Sequence, residues 1–69
     1  MVKIEDAAEA ENMVRSYYSN PVGHHPYGFE THKQANTWIV VFNIRSPANN
    51  VEEHEWHIDS ETGHVLNKR

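Results

Sequence analysis

Residues Thr37 to Arg45 read Thr-Trp-Ile-Val-Val-Phe-Asn-Ile-Arg, a run so dense in β-branched and aromatic side chains that it favours a strand over a helix. Side chains alternate faces along a strand, so Trp38, Val40, Phe42 and Ile44 share one face while Ile39 and Val41 share the other. Such a strand belongs in the middle of a sheet and asks for cover on both sides. The chain has 69 residues, close to the smallest size at which an unassisted core is viable, so it makes a single domain spanning 1–69.

The cover for one face is legible upstream. From Lys3 to Tyr18, the residues Ala7, Ala10, Met13, Val14 and Tyr17 recur at spacings of three and four, with Glu5, Glu9, Glu11, Asn12 and Arg15 between them. This is an amphipathic helix, ended by Ser19-Asn20-Pro21 because proline disfavours helical geometry in the residue before it. Asn20 to Pro26 holds two prolines and a glycine and reads as a loop. The period then changes to two. A weaker strand runs from Tyr27 to His32, Gln34-Ala35-Asn36 turns the chain into the strong strand, and Ser46-Pro47-Ala48-Asn49-Asn50 turns it again. Val51 to Ile58 is the next strand, and Asp59-Ser60-Glu61-Thr62-Gly63 is a tight hairpin turn in which Asp59, Thr62 and Gly63 are the shaping residues. His64 to Asn67 closes the chain as a short last strand. The order αββββ, with short connections, predicts an α+β fold: one N-terminal helix packed on one face of a three- to four-stranded antiparallel meander. Its expected core is Val14, Tyr17, Trp38, Val40, Phe42, Ile44, Trp56 and Ile58.

Composition narrows the function. The formal charge is −4 at pH 7, which argues against nucleic-acid and acidic-membrane binding, since both draw on basic patches. Without cysteine there is no disulfide, thiol nucleophile or thiolate metal site. No apolar run is long enough for a signal peptide or a membrane span, so the chain as given reads as cytoplasmic, or as exported if an N-terminal signal was trimmed.

Three stretches carry a family resemblance: the acidic helix start Glu5-Asp6-Ala7-Ala8, the strand opening Trp38-Ile39-Val40-Val41-Phe42, and Glu55-Trp56-His57-Ile58-Asp59-Ser60-Glu61-Thr62-Gly63-His64-Val65-Leu66. Together they resemble the PepSY domain, whose last hairpin has the pattern met here by Ile58, Asp59, Ser60, Thr62, Gly63, Val65 and Leu66. PepSY domains occur in propeptides of thermolysin-like metallopeptidases and in exported or membrane-attached proteins. The resemblance implies a protein-binding module, peptidase-inhibitory or chaperone-like, without catalysis.

Six histidines are the chain's one unusual chemical resource. His54 and His57 fall on opposite strand faces, and the adjacent His24 and His25 would need a specially bent loop to meet on one ion. The best-placed ligand set is His57 with Glu53 and Glu55 on one face and His64 across the hairpin. A solvated strand face explains the same residues more simply, so neither a metal nor any other cofactor is expected. Glu53 and Glu55 as a catalytic pair would need an apolar pocket to raise one pKa, and no nucleophile elbow or phosphate loop is present, so no enzyme is expected. Ile39 and Val41 are the sharper clue. A single helix cannot cover them, and Glu53, Glu55 and Thr31 would shield them only in part. They mark a partner-binding face of Ile39, Val41, Glu53 and Glu55, for a protein or peptide partner or for a second copy in a homodimer. The rival expectation is a histidine-based metal-binding or pH-responsive protein.

Overall fold

The computed structural model describes residues 3–18 and 25–69. Helix α1 spans Ala7–Tyr17, and β1 (His25–Gln34), β2 (Thr37–Arg45), β3 (Val51–Asp59) and β4 (Val65–Lys68) follow. The strands form one antiparallel sheet in the order β1-β2-β3-β4, each paired with its neighbour in sequence, as the short connections require. No helix among the described residues is long and apolar enough to cross a membrane.

The helix begins four residues later than its periodicity suggests, for a reason that lies outside the helix. Ile4 donates its backbone N–H to the Ser60 carbonyl at 2.7 Å and accepts from the Trp38 indole N–H at 2.9 Å. Those bonds keep Ile4 out of the helix, leaving it only 3% exposed and making it a core residue that the periodicity alone does not reveal. Asp6 then caps the helix, its side chain accepting from Glu9 N–H at 2.9 Å, while the Glu9 carboxylate reaches back to Glu5 N–H. The helix-ending Ser19-Asn20-Pro21 and the loop histidine His24 lie outside the described residues.

On the sheet, Trp38, Val40, Phe42, Ile44, Trp56 and Ile58 are all buried beneath Ala10 and Val14. Tyr17 departs from its expected place in the core. It is 54% exposed, because one residue further along the helix Tyr18 takes the inward position, its ring 6.0 Å from that of Phe42. Tyr17 lies at the rim instead, edge-on to Trp56 at 5.1 Å, with the Lys68 ammonium 4.3 Å from its ring centre.

β1 is longer than expected and starts inside the proposed loop, with Pro26 opposite Ile44 in an edge strand, where proline is tolerated. Its alternation is not continuous. A bulge between Tyr27 and Glu30 shifts the register, and Gly28 supplies a positive φ of 65° there. Phe29 therefore stacks on Phe42 on the helix side, while Tyr27 pairs with Asn43 on the opposite side. Thr31, expected to shield the far face, is on the helix side and bonds the Glu11 carboxylate at 2.8 Å.

The other turns match their sequences. Ser46 N–H bonds the Asn50 carbonyl across the β2–β3 turn, and Gly63 takes a φ of 77° in the β3–β4 turn, where its N–H bonds the Asp59 carbonyl. Ser60, in that turn, ties three parts of the chain together, since its N–H also bonds the Asn36 carbonyl at 2.8 Å.

Two outcomes follow from this packing. Phe42 is fully buried, so Phe42→Ala should cost about 3–5 kcal/mol, most of the stability of so small a domain, measured as a shift in the urea midpoint. Ser60 is 2% exposed and its hydroxyl has no partner among the described residues, so Ser60→Ala should raise stability by about 1 kcal/mol. A lower midpoint for Ser60→Ala would show that the hydroxyl is satisfied.

Candidate functional site

The face of the sheet turned away from α1 follows from register. Residues directly opposite in an antiparallel pair point the same way, so the partners of Ile39 and Val41 identify their surroundings. Ile39 lies between His32 of β1 and His57 of β3, and Val41 lies between Glu30 and Glu55. Two rows therefore cross the sheet side by side, each with an apolar centre, one flanked by imidazoles and the other by carboxylates. Ile39 and Val41 are half-buried, in the gaps between these polar side chains. Glu53, opposite Asn43, lies on the same face. The four residues expected to form a partner surface thus share one face, with Glu30 and His32 as additions. Those two carried a signal in the sequence, the alternation of Glu30, His32 and Gln34, but the register joining them to Ile39 and Val41 depends on the bulge.

The shortest polar contact on this face joins neighbours on β3, two residues apart and so side by side. His57 Nε2 donates to Glu55 Oε2 at 2.6 Å. β4 adds a cation. Arg69 and Glu55 exchange backbone hydrogen bonds in both directions, at 2.9 and 3.3 Å, which brings the Arg69 side chain to the Glu55 position. The His57 bond, helped by the charges of Arg69, His57 and His32, holds the Glu55 carboxyl below its ordinary range, although burial pulls the other way. At the far end of the face, His25, Tyr27 and Arg45 line a small cleft of about 240 Å³, with the Arg45 guanidinium 5.7 Å from the Tyr27 ring centre.

The best-placed candidate ligand set does not come together. Glu55 and His57 meet, but Glu53 and His64 do not complete the group, and among the described residues no three His, Asp or Glu side chains are placed to hold an ion. His54 is on the helix side, as its parity requires. Its ring stacks on Phe42 at 5.9 Å, and its nitrogens contact the Arg69 carbonyl at 2.8 Å and the Glu52 carboxylate at 3.2 Å.

Because the folded protein favours ionised Glu55, the group stabilises the fold fully above the unfolded value of about 4.5, and that contribution is lost as pH falls through the lower folded value. Urea midpoints of the wild type should therefore fall more steeply below that pH than those of Glu55→Gln. Parallel pH profiles would remove the His57 bond from the account.

Comparison with known proteins returned no match, whether to a family model, a curated protein or a solved structure.

Proposed function

We propose that this chain is a small, non-enzymatic protein-binding module whose helix-free sheet face is the contact surface. The observation that carries this reading is the position of Ile39 and Val41 at the centre of that face, on a strand that is apolar on both sides while the only described helix covers one. A partner that covered them would remove apolar surface from water at about 25 cal/mol per Å². Around this centre, Glu30, Glu53 and Glu55 offer carboxylates, and His32 and His57 offer imidazoles, to polar groups of the partner.

The resemblance of the Glu55 to Leu66 stretch to the PepSY domain supports a binding role over catalysis, with peptidase inhibition or chaperone-like holding as the form it takes. A second reading, proton-responsive binding, is favoured by the His57–Glu55 bond, which places an imidazole–carboxylate pair beside Ile39 on the contact face itself.

Photo-crosslinking in the cells that make the protein tests the surface. A benzophenone side chain in place of Glu53, on the helix-free face, should give discrete adducts of defined mass, whereas one in place of Ala8, exposed on α1, should not. Equal labelling from both positions, or none from Glu53, would contradict the assignment.

A further inference from the structure

We propose that the occupant of the helix-free face is a second copy of this chain, related by a twofold axis that lays the histidine row of each copy on the glutamate row of the other. The inference rests on the reading of this face as a contact surface and adds the partner, its register and its response to protons.

The geometry leaves two simple ways for the face to pack on itself. A symmetric dimer of like faces has its axis in the interface plane. If the axis runs along the strands, each row falls on its own copy, imidazole on imidazole and carboxylate on carboxylate. If the axis runs across the strands, midway between the rows, strand order is kept and the rows exchange. Ile39 then meets Val41 of the second copy, His32 meets the second copy's Glu30, and His57 meets the second copy's Glu55, each contact occurring twice. Charge selects the second arrangement, since like charges set directly opposite cost energy and unlike ones gain it.

The remaining charges on the face are peripheral. In the exchanged register the outer row of Gln34, Thr37 and Asp59 meets the row of Tyr27, Asn43 and Glu53, so Asp59 approaches the second copy's Glu53. That repulsion sits at the solvated edge, where salt screens it. Arg69 flanks Glu55, while His25 and Arg45 lie further out. Lys33, His54 and Lys68 pair with Trp38, Phe42 and Trp56 and so belong to the helix side.

Net charge tunes this contact. In neutral solution two molecules of formal charge −4 repel, and acidification toward the sequence pI of about 5.8 removes that repulsion. Association is therefore tighter at pH 6 than at pH 8.

Sedimentation of the wild type across concentration at both pH values tests the partner, and a charge exchange between copies tests the register. Glu30→Lys and His32→Glu both alter exposed positions of the edge strand, so each variant should melt like the wild type. Alone, His32→Glu places carboxylate on carboxylate and Glu30→Lys places ammonium on imidazole. Mixed, the new lysine of one meets the new glutamate of the other, and the mixture should assemble at least about tenfold more tightly than either variant alone. A mixture no tighter than its components would overturn the register and leave the contact surface standing. A wild type that stays monomeric at millimolar concentration at both pH values would overturn the second copy as occupant. Adducts from position 53 with a different protein would then preserve the wider reading.

Discussion

An eleven-residue helix can blanket one face of a four-stranded sheet and no more, and this limit organises the whole molecule. The covered face takes the large side chains. Trp38, Phe42 and Trp56 lie under Ala10 and Val14, small enough at their positions to let α1 settle close to the strands. The helix is registered by backbone bonds at its entrance, where Ile4 is fastened to Ser60 and to the Trp38 indole, and Ser60 in turn is fastened to Asn36. These ties join the start of the chain to the β1–β2 and β3–β4 turns. They fix where the helix crosses the sheet, and hence which face stays open.

Strand content, order and parity were legible because they depend on local chemistry. Trp38 to Ile44 alternates without interruption, Gly63 sits where the turn demands a positive φ, and each strand pairs with its neighbour in sequence. The misjudged features depend on contacts distant in sequence. Lys3 to Asp6 has helical periodicity but forgoes the helix because Ile4 bonds a residue more than fifty positions away. Tyr17 and Tyr18 compete for one inward position, and a difference of a single residue in helical phase decides between them. The bulge at Gly28 moves Tyr27 away from Phe29 and Thr31, which simple alternation would keep together. For the candidate site, Ile39, Val41, Glu53 and Glu55 were readable from parity on two strong strands. Glu30 and His32 were not, because a pairing register cannot be read through a bulge.

The open face combines an apolar centre with a polar rim, and on it Glu55 is paired with His57. Glu55 is held ionised first by the His57 hydrogen bond and then by the Arg69 charge, which keep its carboxyl below the ordinary range. With the sequence pI at about 5.8, mild acidification lowers the charge repulsion that would oppose contacts between copies. The buried face supplies stability independently of protons, through aromatic packing.

The central claim is that Ile39 and Val41 form the middle of a surface that pairs with a second copy of the chain and not merely a wet sheet face. Methyl NMR on a dilution series in mildly acidic solution tests it most directly, because Val40 and Ile44 on the buried face of the same strand serve as internal controls. The account predicts that the Ile39 and Val41 methyl resonances move with concentration while those of Val40 and Ile44 stay fixed. Resonances of all four residues that remain unchanged from millimolar to micromolar concentration would contradict it.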